Sequence, residues 1–234
     1  MEERLTFRTK AAKWLGSKLI QWMVIAGFVF LTFWEDDLSY FLGLAYILLF
    51  LWAKRWKWSL IGLSKPKSWK KLWFQAVIIS ILLIIFVDII FTPILEIIFG
   101  AQPDISSFDS IRGNFLKYVI FIVLMWIVAA FGEEIVYRGL LVQRLGVLFG
   151  NTNAAFWAAV LCSSVLFGLG HEYQGVSGMF STGIAGFIWG AIYLKSKNRL
   201  WLTILTHGIY DAILITLMYL DVDSEVYNLL KNLF

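Results

Sequence analysis

Phe131-Gly132-Glu133-Glu134-Ile135-Val136-Tyr137-Arg138-Gly139 puts two adjacent carboxylates and an arginine at the end of a run, Tyr118 to Phe131, that holds no charge. Near a bilayer centre each ionised side chain costs roughly 2.5–3.5 kcal/mol to insert. Three of them this close together would not persist as decoration. On a helix, Glu134 and Arg138 stand at i, i+4 and can pair. Glu133 lies about 100° round from Glu134, since a helix has 3.6 residues per turn. The spacing predicts one carboxylate neutralised by Arg138 and one left free for chemistry.

Outward from this stretch the chain is apolar. Of its 234 residues 60% are hydrophobic and only 15% charged, and the mean hydropathy is +0.76. Soluble domains are nearer 45–50% apolar and 25% charged. Apolar runs of span length recur, so the reading is an all-α, polytopic transmembrane helical bundle with a polar active-site cavity. Seven spans are expected, at roughly 18–34, 38–53, 73–99, 115–149, 154–171, 178–195 and 200–220, the fourth too long for a single crossing. Three parts follow. Residues 1–114 hold the amino-terminal helices and a basic loop, 115–220 the catalytic core, and 221–234 a short tail.

Charge sorts the loops. Lys54, Arg55, Lys57, Lys65, Lys67, Lys70 and Lys71 fall between spans two and three, and Lys195, Lys197 and Arg199 between six and seven. Glu35, Asp36, Asp37, Asp104, Asp109, Asp221, Asp223 and Glu225 fall on the other side. Basic loops face the cytoplasm. The expected location is the cell membrane, with a cytoplasmic amino terminus and an extracytoplasmic carboxyl terminus. The same rule accounts for the net charge of +4 without nucleic acid as a partner. Arg4, Arg8, Lys10, Lys13 and Lys18 precede the run Leu19–Trp34 as a signal peptide's basic region would. No small-residue cleavage site follows, so a retained first span is expected.

Smaller features fill in the picture. Trp52, Trp56, Trp58, Trp69 and Trp73 crowd the basic loop as interfacial anchors. Pro93 predicts a kink in span three. Asp88 and Glu96 in that span are costly and acquire no task from the sequence. Cys162 is the sole cysteine, which excludes an intrachain disulfide or a thiolate metal cluster. In an apolar run it reads as core filler.

Two further polar sites lie in apolar spans. One is Ser163-Ser164-Val165-Leu166-Phe167-Gly168-Leu169-Gly170-His171, the other Thr206-His207-Gly208-Ile209-Tyr210-Asp211, and they hold both of the chain's histidines. If 133–149 and 154–171 form an antiparallel hairpin, Glu133 and His171 end up nearly level. His207 sits only about 12 Å from its own turn at ~1.5 Å per residue. The motif hairpin must then protrude, tilt, or bend at Gly132. Three chemistries fit. Glu133 and His171 could activate a water, with His207 donating to an oxyanion and Asp211 orienting its ring. Glu133, His171 and His207 could instead bind zinc. Carboxylates and histidines could also relay protons in a transporter. His171-Glu172-Tyr173-Gln174-Gly175 lacks the second histidine of a soluble zincin.

Taken together, Glu133-Glu134-x-x-x-Arg138, Phe167-x-x-x-His171 and His207-x-x-x-Asp211 resemble the three motifs of the CPBP intramembrane proteases. That family includes type II CAAX prenyl endopeptidases and bacterial proteins linked to bacteriocin processing or immunity. The resemblance covers roughly residues 115–220, in order. It implies an endopeptidase that cuts a peptide or protein tail presented at the membrane. Glu133 would be the base, His171 its partner on the water, His207 part of the oxyanion hole, and Glu134–Arg138 the supporting ion pair. Phe167 would orient His171. Asp211 stands where eukaryotic members usually carry asparagine, which puts a donor role there in doubt. No cofactor is expected on this reading. The alternatives are a zinc-dependent version using Glu133, His171 and His207, a non-cleaving immunity protein, and, from another class, a small transporter or scaffold. A transporter should carry a repeat or paired broken helices, and the sequence has neither.

Overall fold

Helix starts follow the capping residues. Thr6, Ser17, Ser68, Asn114 and Thr152 each accept a hydrogen bond from a backbone N–H in the first turn that follows, which satisfies one of the four donors every helix leaves open. They open α1 (Phe7–Leu15), α2 (Lys18–Thr32), α4 (Trp69–Phe99), α5 (Phe115–Leu148) and α6 (Asn153–Leu169). The other long helices are α3 (Asp36–Ala53), α7 (Gly175–Lys195) and α8 (Leu200–Tyr219). The computed structural model describes residues 6–197 and 199–225. Arg4 and residues 226–234 of the expected tail lie outside them.

The architecture is the expected all-helical membrane bundle, without strands among the described residues. The expected count of seven crossings is not what the helix lengths give. Four helical stretches are long and apolar enough to cross, α4, α5, α7 with its preceding turn, and α8. A fifth arises if α1 and α2, bent by 61°, count as one. The shortfall lies in α3 and α6, which rank among the shorter apolar helices. At ~1.5 Å per residue, the 17 residues of α6 reach only about 25 Å, against a hydrocarbon core of about 30 Å.

The longest helix positions the site. α5 runs 34 residues without a break, where about 20 would span. No break falls at Gly132. Its role is close approach, because a Cβ there would collide with the Tyr40 hydroxyl from α3. From Met125 to Val142 the helix winds more widely than an α-helix, a form that recurs at functional sites. Gly139 is level with the start of α8, since a Cβ there would lie 3.2 Å from the Leu200 side chain. The stretch from Leu140 to Leu148 thus protrudes past the first turn of α8, as one of the three expected solutions required.

Pro93 does not break α4. The missing N–H is accommodated by a wide turn over Ile85–Phe91, where the Thr92 hydroxyl donates to the Val87 carbonyl at 2.9 Å. This is one of the recognised causes of helix distortion. Around α5 pack α3, α6 and α8, while α4 lies along α8 and α6 along α7. Gly168 and Gly183 let α6 and α7 approach closely, because a Cβ on Gly168 would meet the backbone of both Met179 and Gly183; small residues serve this purpose in lipid. The main core, with Phe28, Leu51, Leu140, Leu141 and Leu200 fully buried, surrounds the basic-loop half of α5. Cys162 is exposed on α6 and fills no core, contrary to the expectation from its apolar run.

Candidate active site

Three segments deliver the motif residues to one place. α5 contributes Glu133, Glu134 and Arg138, α6 and the turn after it contribute Phe167 and His171, and α8 contributes His207 and Asp211. Glu134 and Arg138 are both fully buried and joined at 2.8 Å, as their i, i+4 spacing predicts. Arg138 also donates to the Gly186 carbonyl of α7 at 2.7 Å, and its guanidinium lies over the Phe167 ring at 4.9 Å. An arginine so buried is tolerated because each end of its fork has an acceptor and an aromatic ring lies against its plane.

Glu134 does more than neutralise Arg138. The same Oε1 lies 3.1 Å from Nδ1 of His207, a contact between helices that the sequence could not disclose. On the other side of the ring, Nε2 is 3.3 Å from Asp211 and 3.9 Å from Glu133. A carboxylate only accepts, so a ring with both hydrogens satisfies Glu134 and Asp211 together. Glu133 is different. Its Oε2 is buried yet accepts no hydrogen bond among the described residues, and the side chain keeps 19% of its surface open.

His171 completes the ring of polar groups. Its Nδ1 lies 2.8 Å from the Phe167 carbonyl, which only accepts, so Nδ1 carries the hydrogen. In the neutral ring Nε2 is then the free acceptor. His171 lies within electrostatic reach of Glu133, which agrees with the near-level hairpin. Phe167 packs beneath both histidines, with ring centroids 4.8 Å from His171 and 6.1 Å from His207.

Other members of the site carry no motif. Trp189 of α7 stacks on His207 at 4.0 Å, and Tyr210 supports Trp189 edge-on at 5.6 Å. Within an apolar span a tryptophan reads as packing, so no signal marked it. Asp88, left without a task by the sequence, sits beside the Tyr210 hydroxyl and within electrostatic reach of Asp211. The Ser80 hydroxyl lies 2.8 Å from the Thr206 carbonyl, pinning α4 to α8 one residue before His207. Beside the cluster, Trp69, Trp73, Trp126, Phe131 and Trp201 line an open apolar groove of about 670 Å³. Two of the expected anchors, Trp69 and Trp73, therefore share a wall that reaches the residue before Gly132.

Of the set expected on the zinc alternative, Glu133 lies near both His207 and His171. No three His, Cys, Asp or Glu groups converge as ligands among the described residues. Nδ1 of His171 is engaged by a carbonyl, and both nitrogens of His207 face carboxylates.

The segment that carries all of this geometry can be compared with known proteins. Residues 115–213 match the family model of the Rce1-like type II CAAX prenyl endopeptidases. The match agrees with the resemblance read from the three motifs, and covers each of them. It supports a CAAX-type intramembrane protease in general. No curated protein and no solved structure matches the chain.

Proposed function

We propose that the chain is an intramembrane endopeptidase that hydrolyses a peptide bond with a water activated by Glu133. The observation that carries this reading is the contrast between the two glutamates. Glu134 is held by Arg138 and His207, whereas Glu133 keeps a buried oxygen that accepts nothing, between His207 and His171. A water there would give one proton to Glu133 and orient on the free Nε2 of His171. The resulting hydroxide attacks the carbonyl carbon. The His207 Nε2–H, which Asp211 accepts at rest, turns to the oxyanion as its charge develops on the side that faces Glu133. Glu133 then returns the proton to the leaving amine. General bases of this kind supply about 10²–10⁴ in rate, and each oxyanion donor about 10²–10³.

The substrate on this reading is a peptide or protein tail presented at the bilayer, with its apolar flank against the tryptophan-lined groove. The basic loops then face the cytoplasm. A reporter fused after Phe234 that is active only in the cytoplasm would overturn that orientation. The chemistry is tested with purified protein and a library of membrane-anchored peptides, with and without a strong chelator. Cleavage that persists under chelation, in protein without stoichiometric zinc, is the expected result. One zinc per chain, lost with activity and restored with the metal, would replace it with the zinc-dependent version.

A further inference from the structure

Arg144 is a cation for which the described chain supplies no anion. It lies near the protruding end of α5, beyond the level at which α8 begins. The ion pairs at Arg112, Arg138 and His207 leave Arg144 out. The Nε of Arg144 is buried and has no acceptor, and the guanidinium rests on the Phe50 ring at 4.4 Å. Lys54 reaches the same ring at 5.9 Å. At the same end of α3, where Trp52 stands between Phe50 and Lys54 in sequence, Arg8 lies over Trp52 at 5.3 Å and donates to the Trp52 carbonyl at 2.6 Å.

Three cations thus gather at one helix end with aromatic and carbonyl partners only. Cation–π contacts hold a guanidinium in place but leave its charge uncompensated. A half-buried charge without a counter-ion is costly, and like charges this close repel. The contrast with Arg138 is direct, since that arginine is equally aromatic in its surroundings and yet has Glu134. The missing element at Arg144 is an oxyanion that the described residues do not supply. Guanidinium forks match phosphate oxygens in planar, bidentate geometry.

We propose that Arg144, with Lys54 beside it, forms a binding site for a phosphate oxyanion. The site lies among the basic loops, at the end of a span, where lipid headgroups run. The α1–α2 bend exposes Phe7, Trp14, Leu19 and Trp22 on that face, so a phospholipid could lay its chains there while its phosphate meets Arg144. Free phosphate is the other carrier of the same chemistry.

The test uses the full chain, delipidated in neutral detergent and titrated separately with a short-chain phosphatidylglycerol, a short-chain diacylglycerol and inorganic phosphate. Bound ligand is counted by native mass spectrometry. Saturation at one phosphate-bearing ligand per chain is expected. Phosphatidylglycerol alone identifies a lipid site, whereas inorganic phosphate binding as well identifies the oxyanion itself. Arg144→Gln should weaken binding about tenfold or more, because a charge-assisted hydrogen bond is lost. Arg144→Lys, which keeps the charge, should lose less. Lys117→Gln, an exposed charge at the far end of α5, should change affinity little. Unsaturable binding, equal retention of the phosphate-free diacylglycerol by the wild type, or full affinity in Arg144→Gln would each overturn the site. Should Arg144→Gln not fold, the wild-type preference and Arg144→Lys still decide it.

Discussion

At the scale of the residue, the two neighbouring glutamates divide along the lines of their partners. Glu133→Gln keeps the shape and removes the proposed base, so activity should fall by about 10²–10⁴ with unchanged yield and thermal stability. Glu134→Gln should act through folding, because it strands Arg138 without its counter-charge in a site where breaking a buried pair costs about 3–5 kcal/mol. Its mark is reduced folded yield in a fluorescence-detected chromatography profile. Equal loss of yield in both variants would mean that the glutamates share one structural task. Much of this pair was legible in the sequence, since i, i+4 spacing fixes who can reach Arg138. The bond from Glu134 to His207 was not. It joins residues separated by 73 positions, and no local periodicity records a contact between helices.

At the scale of the element, helix ends were well marked by caps and charge, whereas what happens inside a helix was not. The wide winding of α5 and the way α4 passes Pro93 depend on neighbours that only the fold brings close. Gly132 is the clearest case. The sequence allowed a bend there, and the structure instead has the Tyr40 hydroxyl where a Cβ would stand. Gly132→Ala should cost about 1–3 kcal/mol through overpacking and lower activity by displacing Glu133. Adding Tyr40→Phe, which removes the colliding oxygen, should recover a large part of both losses in a thermal-melt and rate comparison. A rescue that fails would locate the fault in the winding itself. At the opposite end of α8, Arg112 gathers Asp109, Asp221 and Asp223. Its hydrogen bonds hold the Asp223 carboxyl below the usual carboxylate range. A pKa lowered on folding stabilises above the unfolded value of about 3.9, and that gain disappears as the pH falls through the folded value. Hydrogen exchange at the end of α8 should therefore quicken in acid, and Arg112→Gln should remove that acceleration.

At the scale of the whole molecule, the tight packing around α5 explains why the chain's second half carries so much of the recognisable pattern. The bundle class followed from composition, and the three motifs from order and spacing. The number of crossings did not follow, because apolar length is a poor ruler for helices near the threshold. Asp88 shows the same limit for polar groups. Its partner Tyr210 stands on a helix that is neighbour in space and far off in sequence. Trp189, stacked on His207, was hidden because an aromatic in an apolar run has no distinguishing context. The exposed Cys162 turns the uncertain crossing into a simple accessibility experiment. The chain has a single thiol, and it points outward from α6, one of the two helices too short to count as a span. A charged reagent stays in water, and a thiol that faces hydrocarbon lies out of its reach. A charged, water-soluble maleimide should therefore leave the wild-type protein unlabelled in intact membranes and label it after denaturation. Rapid labelling in intact membranes would move α6 out of the hydrocarbon layer, and the depth of the histidine that follows it would shift with it. No cysteine need be introduced or removed, so the chain as it stands reports the immersion of the half that carries the candidate site.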